Sequence, residues 1–579
     1  MSIEEFEQIS HFLNDYIEMH AREKPEGIAI IDADTGKYYT WQYFRDTVNL
    51  IALELLENGW EKGDIIISML PLLPEHVFLE YACIKLGITF CPLDVRLKSD
   101  EVIYAVTLLS SARRVMFVHP DDTDSEDKYG RKKRYDFKQF ARRIRKEIPA
   151  VQYFMQMSMK EDCDKGTVSW LDFIRRAKDR WLKLLHDPEE REKSMKKLEQ
   201  AASKVEADDA ILIIYTTGTT GFPKPAMLTN EGIIAQNLCL SKGFNISPDD
   251  RMLVNLPPSH VGCQTEQLMT TIFVGGISVI LHSFKAEKSL KAIQTYKVTA
   301  FGQIPALYVM EWRLPDYDSY DLSSLRFALY GGQGVSLRFL QKLKQMAPYF
   351  GSGLGLTELS GFCSYTPLGE DVKPEDILAS LGHDYPITPL SIREPMNPDG
   401  TAGKEKPVGE NGEVCYSGPQ VFKGYYGNKE ATRKTISKEG ICYTGDLGFK
   451  DEDGNLHLVG RSKFVIKPKG YQVNPEEVEQ HLQKYPGVSL AAVVGYKHEV
   501  FSEGIVAFIE TRRGKKIPVD KLREHCKQLA SYKRPLLYVF LDEIPLNRVE
   551  KTDYAKLKEV VGQHIESERS KGGWDASKK

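Results

Sequence analysis

The chain has 579 residues, with 77 basic and 81 acidic side chains and a formal net charge of −4. That near balance leaves no electrostatic footprint for nucleic acid, and 42% apolar with 27% charged residues excludes disorder throughout. At roughly 100–200 residues per domain, the length implies about three or four domains or subdomains with large cores.

The N-terminus is acidic and has no signal-peptide pattern. Ile65 to Met69 predicts a buried strand, Glu75 to Lys85 a helix and Thr89 to Leu93 a second strand. The pattern recurs at Ile211–Tyr215, Met252–Leu256, Gly276–Leu281 and Phe327–Tyr330, with helices between. Such alternation predicts an α/β architecture with largely parallel sheets. Residues 120–208 hold charge-dense stretches in which acids and bases interleave, and they read as an exposed insertion. Asp451 to Asn455 predicts a hairpin turn, and a boundary follows near residue 460. Asn474-Pro475-Glu476-Glu477 predicts a helix start, with Pro at the first helical position, and Leu490–Val494 and Ile505–Ile509 predict strands. Residues 1–460 are therefore expected to form a large N-terminal domain of helix-flanked sheets with a β-rich subdomain. Residues 461–579 are expected to form a small mobile α+β domain. No apolar run reaches the ~18–20 residues of a membrane span. The nine cysteines are scattered with none at CxxC spacing, which argues against a zinc cage and for a reducing cytoplasm.

The most informative segment is Tyr215-Thr216-Thr217-Gly218-Thr219-Thr220-Gly221-Phe222-Pro223-Lys224. It follows an apolar strand and precedes a helix-like run from Glu231. Glycines admit close backbone approach, and Thr hydroxyls with amide N–H groups can line an anion nest, to which Lys224 adds a charge. A polar connection between strand and helix is the plainer reading of the loop taken alone. It is not a Walker loop, because no GK[ST] is present.

The loop resembles the phosphate loop of the acyl-adenylate-forming enzymes, which include acyl-CoA synthetases, peptide-synthetase adenylation domains and luciferase. Further motifs follow in the family's order. They are Gly353-Leu354-Gly355-Leu356-Thr357-Glu358, Gly412-Glu413-Val414, Gly418-Pro419, Gly424-Tyr425 and Tyr443-Thr444-Gly445-Asp446. Gly460-Arg461-Ser462-Lys463, Ile466-Lys467, Gly470-Tyr471 and Ser531-Tyr532-Lys533-Arg534-Pro535 with Lys551 complete the set. The resemblance covers nearly the whole chain.

It implies an AMP-forming acyl-CoA ligase, in which a carboxylic acid and ATP give acyl-AMP and pyrophosphate, then acyl-CoA and AMP. ATP, Mg²⁺ and coenzyme A are the implied cofactors, and no nucleic-acid partner is expected. The loop Thr216 to Lys224 would hold the β- and γ-phosphates, Thr357 the α-phosphate and Glu358 the Mg²⁺. Asp446 would accept from the ribose hydroxyls and Arg461 would contact ribose or phosphate. Gly331, Gly332 and Gln333, with Gly353 to Leu356, would flank adenine and the acyl group. His260, Gly262, Phe301, Gly331 and Gly355 are the implied acyl-pocket residues, and a medium-sized apolar acid is the expected substrate. Lys463 would be the hinge, Lys551 would serve adenylation, and Lys467 with Gly470 would serve thioester formation. A ligase that loads a separate carrier protein, a non-catalytic nucleotide sensor and a luciferase-like oxidase are the rival readings.

Three departures stand out. Leu354 takes the place of an aromatic that commonly stacks on adenine. Pro225 replaces a Gly and removes an N–H donor. Glu550 replaces the Gly before the terminal Lys.

Overall fold

The computed structural model describes residues 3–126, 132–158, 163–216, 223–332, 334–461, 475–498, 502–512, 515–547 and 552–570, with 466, 468, 473 and 574. Its first sheet has eight strands. From one edge they are Gly424–Tyr425, Lys224–Thr229, Ala210–Thr216, Thr89–Pro92, Ile65–Ser68, Val115–Pro120, Tyr153–Met157 and Val168–Ser169. The run from Ala210–Thr216 to the far edge is parallel, and the first two strands join antiparallel. Ile65–Ser68 and Thr89–Pro92 bury every residue, as a parallel sheet covered by helices on both faces requires.

The second sheet has seven strands in the order Tyr349–Gly351, Phe327–Tyr330, Ala300–Gln303, Arg251–Val254, Ile277–Ile280, Ile28–Asp32 and Lys37–Thr40. Only the last pairing is antiparallel. One apolar cluster takes Ile66, Phe90 and Leu212 from the first sheet and Val254, Ala300 and Phe327 from the second. The two sheets thus share a core with the helices between them. Among these, Asn230–Gly243 is buried along most of its length and is capped by Thr229, whose hydroxyl accepts from Gly232 N.

A four-stranded antiparallel sheet follows: Leu390–Arg393, Gly412–Tyr416, Cys442–Lys450 and Leu456–Arg461. The turn at Asp451 closes as the sequence predicts, with Gly454 N donating to Asp451 O. The C-terminal region holds a three-stranded sheet, Val488–His498, Ser502–Thr511 and Leu537–Leu541, flanked by helices Pro475–Gln483 and Tyr554–Ser570. The fold is therefore α/β, with a large N-terminal domain and a small α+β one.

The charged segment after residue 170 forms helices Trp170–His186 and Pro188–Ala202. They are not solvated all round. Trp170, Phe173, Ala177, Leu184 and Leu198 are buried, and Arg176 and Arg180 pair with the buried Glu54 of helix Trp41–Glu57. Among the described residues no helix is long and apolar enough to cross a membrane.

Candidate active site

Six segments, four of them holding sequence-predicted site residues, stand at the carboxyl ends of parallel strands, where open α/β sheets bind ligands. They are Asp94, Thr216, Asn255–His260, Gln303, Gly331–Gly332 and Ser352–Gly355. The loop after Thr216 does not lead straight into a helix. Lys224–Thr229 forms a strand that returns antiparallel, with Thr216 opposite Lys224 and Tyr215 opposite Pro225. The loop therefore connects a hairpin. Pro225 is the second residue of this strand, and its carbonyl accepts from Tyr426 N at 2.8 Å.

Thr357 and Glu358 sit at the tip of a tight hairpin. Gly355–Leu356 pairs with Gly361–Phe362, and a 3₁₀ turn, Thr357–Leu359, joins them. The turn closes through Ser360, a non-glycine residue in the left-handed region with φ 57°. Such a conformation persists only where its surroundings fix it. Here the fixing groups are buried: Thr265 Oγ1 donates to Ser360 O at 2.6 Å, and Gln420 Nε2 donates to the carbonyls of Leu359 and Phe362. At the foot of the hairpin only glycine fits position 353, because a Cβ there would overlap the Ser364 carbonyl oxygen.

The turn touches strands of two sheets, Lys224–Thr229 and Cys442–Lys450. Tyr425 makes the decisive link. Its hydroxyl donates to Glu358 Oε1 at 2.6 Å, and Lys224 Nζ stands 5.0 Å over its ring. Burial, then the Glu358 charge, pushes the Tyr425 phenol far above its ordinary range, so it stays a donor. Phe422 N also donates to the Glu358 carbonyl at 3.0 Å. The end of the Thr- and Gly-rich loop, Glu358 and the strand bearing Asp446 are thereby held together.

Asp446 is 3% exposed and lies directly across the sheet from Arg461, so the two residues implied for ribose are cross-strand neighbours. Thr444 Oγ1 accepts from Asp446 N at 3.1 Å and donates to Val414 O at 2.8 Å, which fixes the turn before the carboxylate.

His260 lies two residues before a π-helix, Gly262–Met269. This rare form occurs frequently at functional sites. Gln267 on it donates to Gly302 O and Asn255 Oδ1 and accepts from the N–H groups of Asn255 and Leu256. Asn255 donates to Gln303, and Gln303 donates to Glu311, so a buried polar chain ties the π-helix to the second sheet. His260 lies near the Asp94–Arg96 pair. Burial works to raise the Asp94 carboxyl, but Arg96, with a contribution from His260, holds it below the usual range.

Two residues implied for the acyl pocket and the adenine site are buried. Phe301 is fully buried against Tyr308, with ring centroids 5.2 Å apart, and belongs to the core. Leu354 is buried in the main core cluster, so its place in the motif is taken by a packing residue. Thr217, Gly218, Thr219, Thr220, Gly221, Gln333, Lys463, Lys467, Gly470 and Lys551 lie outside the described residues, and Arg461 is placed by its backbone alone. Sequence reasoning passed over Gln420 and gave Tyr425 no role. The available signal was their position inside the matching stretch from Gly418 to Tyr425.

The family described as AMP-binding enzyme matches residues 17–426, and the AMP-binding enzyme C-terminal domain matches residues 477–551. The chain belongs to the AMP-binding enzyme family. Within it, the chain is 27% identical to the putative acyl-CoA synthetase YngI of Bacillus subtilis (strain 168), over 94% of this chain and 96% of that one. It is 35% identical to 4-coumarate–CoA ligase 2 of Nicotiana tabacum, over 59% of this chain and 64% of that one. The anthranilate CoA ligase AuaEII, solved with anthranoyl-AMP, shares the fold with a TM-score of 0.76, 21% identity and coverage of 96% and 98%. ATP-bound MatB from Rhodopseudomonas palustris shares it with a TM-score of 0.73, 23% identity and coverage of 94% and 98%.

Proposed function

We propose that this AMP-binding family member is an AMP-forming acid–thiol ligase that uses ATP, coenzyme A and a medium-sized, largely apolar carboxylic acid. The observation that carries the reading is the Lys224–Tyr425–Glu358 chain, which brings a cation and a carboxylate together at the end of the phosphate loop. In the first step an acid oxygen attacks the α-phosphorus, and the bond to pyrophosphate breaks with its electron pair leaving on the pyrophosphate. In the second a thiolate attacks the acyl carbon and AMP leaves.

The donor set fits Mg²⁺, a hard cation that takes carboxylate oxygens. Glu358 would hold the ion, its Oε1 already oriented by Tyr425. Bound Mg²⁺ would neutralise phosphate charge. Lys224 would add its charge to the same phosphates, and Thr357 would donate to the α-phosphate from a turn that cannot relax. Asp446 would receive the ribose hydroxyls. We assign residues 1–460 to the adenylating domain and 461–579 to a mobile one hinged at Lys463, with Lys551 serving the first step and Lys467 the second.

The test is acid-dependent nucleotide conversion across aliphatic, alicyclic and aromatic acids, with CoA or a carrier protein as acceptor. AMP, pyrophosphate and acyl-CoA are expected, with magnesium required. ADP and phosphate as products would sink the reading, and thioester formed on a carrier alone would move it to the carrier-loading rival.

A further inference from the structure

The strand Cys442–Lys450 does not run evenly beside its neighbour Gly412–Tyr416. Tyr443 stands opposite Cys415 and Leu447 opposite Glu413, so Thr444, Gly445 and Asp446 face the single residue Val414. Bulges bend a strand and re-aim a side chain, and they recur beside active sites. This one is held by side chains. Glu413 Oε1 accepts from Gly445 N at 3.1 Å, while Thr444 Oγ1 donates to Val414 O and accepts from Asp446 N. Gly445 has φ 76°, in the left-handed region, and a Cβ there would meet nothing within 4 Å. Glycine is therefore required by the backbone angle and not by packing.

Glu413 acts from a fixed backbone, since it pairs with Leu447 on one side and with Arg393 of Leu390–Arg393 on the other. An evenly paired strand would satisfy its backbone groups through the ladder alone. Here a carboxylate, a hydroxyl and a left-handed glycine are all used on the one turn that ends at Asp446. The bond from Glu413 is the strongest of the set, because its acceptor is ionised. We propose that Glu413 is a positioning residue for the nucleotide: by holding Gly445 N it fixes the turn that aims Asp446 at the ribose hydroxyls. This rests on the ligase reading of the same site and adds the residue that sets its preference for a ribonucleotide.

The experiment measures binding of AMP, 2′-deoxy-AMP and 3′-deoxy-AMP to the full chain by calorimetry. Steady-state assays with the acid turned over best give KM for ATP and for the acid, and thermal melting checks folding. The wild-type chain should bind AMP more tightly than at least one deoxy analogue by ~10-fold or more, the scale for hydrogen bonds to a charged group. Glu413→Leu should lose most of that preference, because AMP weakens while the analogue hardly changes, and should raise KM for ATP but not for the acid. Glu413→Gln retains an oxygen for Gly445 N and should keep the preference. Gly445→Ala has room for its methyl but not for its backbone angle, so it should lose the preference too. It carries the test where Glu413→Leu does not fold. Asp446→Asn should also lose the preference, and adding Glu413→Leu to it should cost no more, since both act through one carboxylate. A preference that survives Glu413→Leu and Gly445→Ala, or equal weakening of AMP and its analogues, overturns the proposal and leaves the ligase standing. Equal binding of all three nucleotides by the wild-type chain overturns it as well. A Glu413-dependent preference in a chain that forms no AMP from any acid removes the ligase reading and keeps the role of Glu413. A chain that neither binds AMP nor forms it removes both.

Discussion

At the scale of single residues, the site depends on how Glu358 is aimed. Its Oε1 accepts from Tyr425, whose ring also carries Lys224 on its face. Tyr425→Phe keeps the ring, and so the cation contact, but frees the carboxylate. Partners of this kind change metal affinity or activity by ~10–100-fold when removed. Tyr425→Phe should therefore raise the magnesium concentration needed for half-maximal AMP formation by about tenfold, with little change in melting temperature. Glu358→Gln removes the charge itself and should slow adenylation by ~10²-fold. A magnesium titration of pyrophosphate release measures both. An unshifted titration in Tyr425→Phe would mean that the hydrogen bond does not position the metal carboxylate.

At the scale of elements, two devices hold the backbone of the proposed site: the hairpin closed at Ser360 and the π-helix clamped by Gln267. Gln267→Leu would leave Asn255, Leu256 and Gly302 with unpaired buried groups, and each such group costs about 1–3 kcal/mol. The expected result is a stability loss of at least ~2 kcal/mol by denaturant unfolding, with a raised KM for the acid and a nearly unchanged KM for ATP. Equal changes in both KM values would place the clamp outside acyl binding. These devices also mark what the sequence could and could not convey. Buried parallel strands such as Ile65–Ser68 were legible because β-branched runs of that length have few other uses, and the Asp451–Asn455 turn was legible from its residue types. The strand Lys224–Thr229 was hidden, since Pro225 near its start argues against a strand. The π-helix was hidden too, because its period differs from the 3.6 residues by which helices are read. Tyr425 and Gln420 act on a turn some sixty residues earlier in the chain, a partnership that only the folded state creates.

At the scale of the whole molecule, buried acids make stability depend on pH in a way that composition could not reveal. Glu80 and Glu311 are fully buried, and desolvation pushes each carboxyl up to about 8. Around Glu311 stand Gln303, which donates to its Oε2, and the side chains of Ser289, Tyr308 and Tyr317. In the folded chain Glu311 keeps its proton at pH values where the unfolded chain, titrating near 4.5, has released it. The folded state then binds more protons, so stability falls as pH rises from about 4.5 towards 8. His76 opposes this at the acid end. Desolvation lowers it to about 4, so the unfolded chain takes up its proton first as pH falls below 6.5, and stability drops there. The raw pH profile therefore mixes the two, and a variant separates them. Glu311→Gln keeps an oxygen to accept from Gln303 and never ionises. Relative to the wild-type chain it should be near neutral at pH 5 and more stable by about 3–4 kcal/mol at pH 8. Its melting temperature should exceed that of the wild type by a margin that widens steadily between those values. A constant margin across pH 5 to 8 would show that Glu311 does not hold a proton in the folded chain, and that the polar chain from Glu311 to the π-helix carries a charge at its inner end.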